Sequence, residues 1–292
     1  MTAAVYCLRK GMVTGLITRQ IGGQMAETAG IENYSGYRYI NGPELADKFH
    51  EQVIQFGINF ENNANVTSIK DGLIKEVLLD DGRIFKTRTI IIASGRLSRK
   101  LNVPGEKENI GHGVAYCAIC DAPFYMGKKV VVAGGGNSGI GAAIDLAPIA
   151  THVTIVQRRD RLIADKLLID KLKHYDNVEI ILSHVVKEIA GHGRVEGVIA
   201  ENRETGELIT ILADGIFVEI GSVPNSDLAK GVVAMNENHE ILVDESCRTD
   251  KPGIFAAGDV TDVPYKQIII ACGDAAKAAL AATDYIHTNP NF

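Results

Sequence analysis

The stretch "KKVVVAGGGNSGIGAAIDLAPIA" (128–150) combines an apolar strand, a glycine-rich turn and an alanine-rich helix in direct succession. Gly134, Gly136 and Gly139 form a G-x-G-x-x-G pattern at the junction. The first glycine permits a tight turn, the second lets backbone approach a pyrophosphate, and the third allows close helix–strand packing. The helix N-terminus offers N–H groups and a positive dipole end to phosphates. The stretch predicts a nucleotide-binding turn, with a purely structural tight turn as the alternative.

Other parts of the chain repeat this layout. The segment "THVTIVQRR" (151–159) predicts the next strand of a βαβ unit, and apolar strands ending in glycine recur at 88–95, 214–221 and 252–259. Near-continuous apolar runs are typical of parallel strands covered on both faces. We therefore expect an α/β fold with two Rossmann-like, three-layer dinucleotide-binding domains. An ordinary Rossmann enzyme with one site is the alternative.

The remaining segments complete these two domains. A helix at 165–175 and a strand at 177–183 continue the first βαβ unit. Alternating apolar and polar residues around Gly or Asp-Gly turns predict antiparallel hairpins or meanders at 72–86 and 193–212. A long helix is predicted at 265–287.

The composition excludes several classes of function. The chain has 292 residues, 46% of them hydrophobic, and a net charge of −6, which disfavours nucleic acid or an anionic membrane as the main partner. No apolar run approaches the roughly 18–20 residues that a membrane span needs. Five cysteines, an odd number, do not suggest a secreted disulfide framework. The cytoplasm is the expected location.

The end of the second βαβ strand bears on the choice of nicotinamide. NAD sites usually have Asp or Glu about 20 residues after the glycine motif, to bind the ribose 2′-hydroxyl. Gln157 stands there, followed by Arg158 and Arg159. Two arginines beside an uncharged side chain suit a 2′-phosphate and predict NADPH. The alternative is a solvated, basic strand end.

Cys117 and Cys120 form a CxxC pair just upstream of the glycine turn. The spacing favours a redox disulfide, and Asp121 beside it can protonate a leaving thiolate. A structural zinc site would need a second ligand pair, and a buried inert pair is a further alternative. Because a nicotinamide delivers hydride and a disulfide accepts electrons through thiolates, a flavin between them would connect the two. Both predictions together therefore require a second nucleotide site, for FAD.

Several motifs in order resemble the low-molecular-weight thioredoxin reductases, class-II pyridine nucleotide-disulfide oxidoreductases. The stretches "GGGNSGIGAAIDLA" and "VPYKQIIIA" also resemble the reductase core of the alkyl hydroperoxide reductase flavoprotein subunit. The resemblance covers nearly the whole chain, and its motifs are "GGQMAETAGIENYSG" (22–36), "CAICD" (117–121), "GGGNSG" (134–139), "VQRRD" (156–160) and "GIFAAGDVTDVPYKQ" (253–267).

The resemblance implies roles for individual residues. Cys120 would face the flavin, Cys117 would attack the partner's disulfide, and Asp121 would be the general acid. The FAD contacts would include Asp259 near the ribityl chain and Gln267 with Ile268 at the isoalloxazine ring. The further implied FAD residues are Thr18, Gly22, Gly23, Gln24, Asn33, Gly258 and Lys266. The implied NADPH residues are Gly134, Gly136, Asn137, Ser138, Gly139, Arg158 and Arg159.

The resemblance also implies a domain arrangement and a partner. The FAD domain would comprise residues 1–110 and 246–292, with an NAD(P)H domain at 111–245 carrying the CxxC. The chain would cross between them at 110–113 and 241–248, and the NAD(P)H domain would swing between flavin and partner. The partner would be a thioredoxin-like or peroxiredoxin-like protein, and the assembly a homodimer.

Three departures from the family pattern qualify these expectations. Ile163 stands where thioredoxin reductases usually have a third arginine, and Gln157 replaces their histidine or the acid of the NADH-using relatives. The chain also opens inside a helix, "TAAVYCLRKG" (2–11), so the preceding strand and glycine turn of the FAD domain are expected to be missing. The alternatives to a thioredoxin reductase are an NADH-dependent peroxiredoxin reductase and a truncated, non-catalytic relative with weak or absent flavin binding.

Overall fold

The computed structural model describes residues 1–26, 31–116 and 118–290, apart from the side chains of residues 119 and 120. Its helices are α1 (Thr2–Arg9), α2 (Gly42–Ile54), α3 (Ala118–Asp121), α4 (Asn137–Leu146), α5 (Lys166–Leu172) and α6 (Ile268–Thr288). Short 3₁₀ helices cover Gly23–Met25, Ala122–Tyr125, Asp227–Ala229 and Gly258–Val260. None of the helices within the described residues has the combination of length and apolarity that a bilayer crossing requires.

The strands alternate with these helices along the chain. They are β1 (Gly15–Thr18), β2 (Asn59–Asn62), β3 (Val66–Lys70), β4 (Lys75–Leu79), β5 (Ile84–Thr87), β6 (Ile90–Ile92), β7 (Arg96–Ser98), β8 (Val114–Ala115), β9 (Lys129–Ala133), β10 (His152–Val156), β11 (Val178–Ile181), β12 (His184–Ala190), β13 (Gly197–Asn202), β14 (Leu208–Leu212), β15 (Gly215–Val218), β16 (Ser222–Pro224) and β17 (Ile254–Ala256).

The chain divides into two compact units, one inserted into the other. The inserted unit comprises Ser98–Ser222, and the split unit comprises Met1–Leu97 together with Val223–Phe292. Strands β7 and β16 pair with each other where the chain passes between the units. The predicted α/β class with parallel sheets is confirmed.

The inserted unit is built on one five-stranded parallel sheet in the order β11-β10-β9-β15-β8. Because side chains alternate along a strand, Val130 and Val132 of β9 pack with Ile140 of α4 on one face. Val131 and its alternate neighbours pack on the other face against the antiparallel meander β12-β13-β14, through residues such as Val198. The result is three layers, helix, parallel sheet and meander, around two apolar cores.

The split unit has a less continuous sheet. Its parallel strands form two separate pairs, β1 with β2 and β17 with β6, and strands β3, β4 and β5 form an antiparallel sheet. Helix α1 packs against α6 through Ala3 and Cys7 on one side and Ala278 and Ala282 on the other. These small side chains allow the two helices to approach closely. The predicted opening and C-terminal helices are both confirmed.

The division between the units differs from the predicted boundaries at 110/111 and 245/246. Residues 98–110 belong to the inserted unit because the buried carboxylate of Glu106 accepts hydrogen bonds from the Tyr116 hydroxyl and from nearby backbone. Residues 223–245 belong to the split unit, where the Ser94 hydroxyl donates to the Asn225 carbonyl. Two of the glycine-terminated apolar runs, at 88–95 and 214–221, end one or two residues before the observed divisions, so the sequence carried a signal for them that the prediction did not use.

Candidate active site

The glycine turn follows β9 directly, and its geometry explains two of its glycines. Gly134 has φ +123°, and a Cβ there would lie 2.1 Å from the carbonyl oxygen of Glu219. A Cβ on Gly139 would lie 2.1 Å from the Gly134 carbonyl oxygen. Both distances are far shorter than any real Cβ contact, so strand, turn and helix can approach this closely only with glycine at both positions.

Gly136 is different, because its surroundings are open. The nearest atom to a Cβ there would be a side-chain carbon of Ile163, 3.9 Å away. Gly136 is the N-cap of α4, and no side chain caps that helix. The N–H groups of the first turn and the helix dipole are therefore available for a phosphate. This part of the structure fits a pyridine dinucleotide.

The side chains at the start of α4 have partners within the chain. The Asn137 side-chain oxygen accepts from the Asp165 backbone N–H at 2.7 Å, and its Nδ2 donates to the Asp165 carboxylate at 3.0 Å. These bonds fasten the start of α4 to the N-cap of α5. Ser138 is exposed beside Asn137. The side chain of Asn137 thus shapes the turn, and its N–H remains the group suited to a ligand.

The residues after β10 separate into one buried and two exposed side chains. Gln157 is buried, with its Nε2 donating to the Arg161 carbonyl oxygen at 3.1 Å. Arg158 and Arg159 are exposed and line a cavity. No ion pair neutralises either guanidinium within the part of the chain that the structure describes. The strand end therefore carries two unneutralised positive charges at the position predicted to contact the ribose.

The cysteine segment follows β8, on the other side of β15 from the glycine turn. Cys117 and the side chain of Cys120 lie outside the described residues, and the backbone of Cys120 is part of α3. Burial raises the pKa of Asp121, which follows Cys120 directly. The segment is held to the sheet by Tyr125, whose ring packs edge-on against Phe217 with centroids 5.0 Å apart. The residue predicted to be the general acid therefore has a pKa above the usual range of an aspartate.

Strands β8, β15 and β9 are parallel neighbours in one sheet, so their carboxyl ends share one edge. The CxxC segment leaves the end of β8 and the glycine turn leaves the end of β9. Ligands of open parallel sheets bind at that edge. The structure thus brings the predicted nucleotide turn and the cysteine segment to the same side of the inserted unit.

In the split unit, two predicted flavin contacts from distant parts of the sequence meet. Asn33 Nδ2 donates to the Gln267 side-chain oxygen at 2.9 Å. Gln267 is the N-cap of α6, so Ile268 is that helix's first residue. Burial raises the pKa of the nearby Tyr34 to about 12, with a hydrogen bond to Cys272 adding to the effect. The pairing places amide groups at the N-terminus of the longest helix.

The segment after β1 brings further predicted residues into this unit. Thr18 ends β1, and its hydroxyl donates to the Gln20 carbonyl oxygen at 2.9 Å. Gly22 has φ +83°, and a Cβ there would lie 2.6 Å from Cβ of Ala46 in α2. Gly23 begins the 3₁₀ turn that contains Gln24. Gly22 therefore allows the turn to pack directly on α2.

A cluster of charges surrounds Asp259, which follows Gly258 in a 3₁₀ turn. Burial raises the pKa of Asp259, and the positive charges of Lys266 and Arg96 oppose that rise. Arg96 Nη1 lies 3.0 Å from Glu240, and the Lys266 amine lies 3.4 Å from the same oxygen of Glu240. The sequence analysis missed Arg96 and Glu240. Arg96 begins β7, four residues after the carboxyl end of the parallel strand β6, and that position was the signal that could have identified it.

These groups fit part of an FAD site. Amides and a partly buried carboxylate suit the flavin ring and the ribityl hydroxyls, which exchange hydrogen bonds with such groups. Residues 1–97 and 223–292 contain no G-x-G-x-x-G pattern for the pyrophosphate. The fit to FAD therefore rests on the flavin end of the ligand.

Comparisons with known proteins agree with this architecture. A family model described as pyridine nucleotide-disulphide oxidoreductase matches residues 1–280. The solved thioredoxin reductase of Lactococcus lactis is 38% identical with a TM-score of 0.93, covering 98% of this chain and 95% of that one. The thioredoxin reductase of T. acidophilum is 35% identical with a TM-score of 0.90, covering 97% and 93%.

Curated sequences point to a second group of relatives. An alkyl hydroperoxide reductase subunit of Pseudomonas putida is 44% identical over 288 residues, 97% of this chain and 55% of that protein. Its counterpart in Staphylococcus aureus (strain MRSA252) is 44% identical over 290 residues, covering 99% and 57%. This chain spans about half the length of the curated relatives it matches. The predicted resemblance to both groups is confirmed, as is the predicted pair of Rossmann-like domains. The chain belongs to the pyridine nucleotide-disulphide oxidoreductase family, which uses FAD and a pyridine nucleotide.

Proposed function

We propose that this chain is a flavoprotein disulfide reductase that takes electrons from NADPH, passes them through FAD to Cys117 and Cys120, and reduces a thioredoxin-like protein. The observation that carries the proposal is the shared sheet edge in the inserted unit. There the glycine turn after β9 and the cysteine segment after β8 flank β15. A nucleotide turn and a cysteine segment that leave the same edge of one sheet suit a single path of electron transfer.

FAD would be held by the polar groups of the split unit. Asn33 and Gln267 would contact the flavin ring, and Asp259 would accept from the ribityl hydroxyls. The chemistry that bound FAD supplies is the conversion of a nicotinamide hydride into an electron pair for a disulfide. The remaining FAD residues implied by the resemblance have the same proposed role.

The cysteines would then carry the electron pair to the partner. The Cys117 thiolate attacks one sulfur of the partner's disulfide, and Cys120 displaces the reduced partner by closing the Cys117–Cys120 disulfide. The partner gains two electrons and two protons, and the cysteine pair loses two electrons together with the proton of the Cys120 thiol. Asp121 is the proposed donor of one of these protons to a departing thiolate, and burial, which raises its pKa, favours that role.

NADPH is the proposed donor because of the charges after β10. Arg158 and Arg159 are exposed without carboxylate partners among the described residues, and Gln157 provides no acid to bind a 2′-hydroxyl. Charge-assisted hydrogen bonds to a phosphate are about twice as strong as neutral ones. The Gly134, Gly136 and Gly139 turn would bind the pyrophosphate that both donors share.

A peroxiredoxin-like partner is the second candidate, favoured by the 44% identity to the alkyl hydroperoxide reductase relatives. Phe124 and Met126 are 71% exposed just after Asp121. Exposed apolar side chains beside a redox pair suit contact with either small protein.

The cytoplasmic location and the homodimer stay predictions from the sequence.

The proposal is tested by the visible spectrum of the purified chain supplied with FAD, without oxygen. We expect a flavin band that co-elutes with the protein and bleaches with NADPH at a lower concentration than with NADH. A chain that retains no flavin would overturn the enzyme proposal. Bleaching by NADH at the lower concentration would instead overturn the choice of donor.

A further inference from the structure

The inserted unit contains a cavity of about 370 Å³ beside the end of β10. Three loops form its walls: the segment after β10, the junction of β11 with β12, and the turn between β13 and β14. The lining residues are Arg158, Arg159, Asp160, Ser183, Arg203 and Glu204. Arg203 lies 44 residues from Arg159 in sequence, so no local motif connects it with the arginine pair.

Backbone hydrogen bonds hold the three arginines together. The Ser183 N–H donates to the Arg159 carbonyl oxygen at 2.9 Å, and the Arg203 N–H donates to the Ser183 carbonyl oxygen at 2.8 Å. The Arg203 guanidinium also donates to the Arg158 carbonyl oxygen at 3.2 Å. Ser183 has φ +57°, a left-handed conformation uncommon for a non-glycine residue and one that persists only where surroundings fix it. Ser183 thus positions the β13–β14 turn against the strand end.

The charges of the cavity favour an anion. None of the three guanidiniums forms an ion pair with a carboxylate among the residues that the structure describes. The Glu204 carboxylate accepts from the Ser183 hydroxyl at 3.1 Å. Three arginines against Asp160 and Glu204 leave a net positive charge around a space large enough for a phosphate group.

Ile163, at the position where a third arginine was expected, lies elsewhere. Its N–H donates to the Gly135 carbonyl oxygen at 2.8 Å, and its side chain lies over Gly136. It does not line the cavity. The third cation at the cavity comes instead from Arg203.

We infer that this cavity binds the 2′-phosphate of the dinucleotide and that Arg203 is a specificity-determining residue, acting with Arg158 and Arg159. The inference rests on NADPH as the donor proposed above. Arg203 supplies the positive charge that this chain lacks at position 163, where Ile163 replaces the arginine of the usual motif. Glu204, on the same turn, limits the affinity by repelling a phosphate.

The test is calorimetric titration of the full chain with adenosine 2′,5′-bisphosphate and with 5′-AMP, neither of which requires flavin or turnover. Arg203→Gln should weaken binding of the bisphosphate about tenfold and leave 5′-AMP binding within about twofold. Arg203→Lys should restore part of the loss. The matched control is Arg194→Gln, an exposed arginine of the same unit that pairs with Glu196 at 3.7 Å, outside the cavity.

A second variant moves affinity in the opposite direction. Glu204→Gln keeps an oxygen for the Ser183 hydroxyl but removes the negative charge, so bisphosphate binding should tighten by about two- to threefold. The wild-type chain should bind the bisphosphate more tightly than 5′-AMP. If it does, but neither Arg203→Gln nor Glu204→Gln changes bisphosphate binding, the role of Arg203 is overturned and NADPH remains the proposed donor. If the wild-type chain binds the bisphosphate no more tightly than 5′-AMP, both the role of Arg203 and NADPH as the donor are overturned.

Discussion

The two units use parallel strands in different ways. The inserted unit has one continuous five-stranded parallel sheet, and the split unit has two separate parallel pairs. In the inserted unit, the carboxyl ends of β8 and β9 bring a cysteine segment and a glycine turn to one edge. In the split unit, the candidate site is assembled by tertiary contacts, such as that of Asn33 with Gln267 across 234 residues. A site at the edge of a continuous parallel sheet can be predicted from short sequence motifs at the strand ends. A site assembled by long-range contacts has no sequence motif of that kind.

The largest expected effect separates the units by function. Cys120→Ser should abolish reduction of a partner's disulfide, because no thiolate remains to release the mixed disulfide. Reduction of bound FAD by NADPH should persist, since that step depends on the glycine turn and the split unit. Stopped-flow absorbance measures the flavin step and a disulfide-reduction assay measures the other. The control is Cys247→Ala in the apolar core between α1 and α6, which should leave both activities unchanged. Loss of both activities in Cys120→Ser would contradict the division of labour.

The glycines of α4 provide a matched pair for the inserted unit. Gly139→Ala places a Cβ 2.1 Å from the Gly134 carbonyl oxygen, and this overpacking should lower the free energy of unfolding by about 3 kcal/mol. Gly141 lies in the same helix with no atom within 4 Å of a Cβ, so Gly141→Ala should raise it by roughly 0.5–1 kcal/mol. Urea denaturation measures both. Equal effects of the two substitutions would show that helix propensity, and not the close approach of Gly139 to Gly134, determines the change in the free energy of unfolding.

The arginines after β10 should affect the choice of donor. Arg158→Gln with Arg159→Gln removes two charged donors, so the KM for NADPH should rise about 100-fold, equivalent to about 1.4 kcal/mol for each arginine. The KM for NADH should change little, because NADH lacks the 2′-phosphate. Steady-state kinetics with both donors gives the comparison. A similar increase for NADH would remove the basis for NADPH.

The smallest effects concern one carboxylate in each unit. In the inserted unit, burial raises the pKa of Asp145 to about 6, although the charge of Lys171 opposes it. Burial also acts to raise the pKa of Glu240 in the split unit, but hydrogen bonds from Asn236 and Arg96 outweigh it and hold that pKa low. The two groups therefore contribute to stability with opposite pH dependence.

For Asp145, the folded pKa lies above the unfolded value of 3.8, so its contribution to stability is present at pH 3.8 and below and lost as pH rises through 6. Asp145→Asn should raise the free energy of unfolding by about 1 kcal/mol at pH 8, after allowing for solvent screening, and have little effect at pH 4. Glu240→Gln should be destabilising at pH 8 and less so at pH 4. Urea unfolding curves at pH 4 and pH 8 measure the free energy of unfolding of both variants. If the two variants changed it in the same direction with pH, the assigned pKa directions of Asp145 and Glu240 would be contradicted.

Much of the fold could be predicted from the sequence because its signals are local. The apolar run before Gly134, the helix after Gly136 and the antiparallel hairpins all follow periodicity and turn chemistry. Asp121 could be named because it follows Cys120 directly. Arg158 and Arg159 could be named because the second strand of a βαβ unit has a fixed distance from the glycine motif.

The rest depends on tertiary packing. Arg203 reaches the arginine pair only because Ser183 joins two loops by backbone bonds. The cluster of Arg96, Glu240 and Lys266 comes from three segments with no shared motif.

The most direct test of the central claim is a count of thiols. The FAD-loaded chain is reduced with a small excess of NADPH without oxygen, denatured, and its thiols are titrated against an oxidised sample. The account predicts two additional thiols per chain, and none in Cys120→Ser, although the flavin bleaches in both. Bleaching of the wild-type flavin without new thiols would contradict the claim that Cys117 and Cys120 receive the electrons.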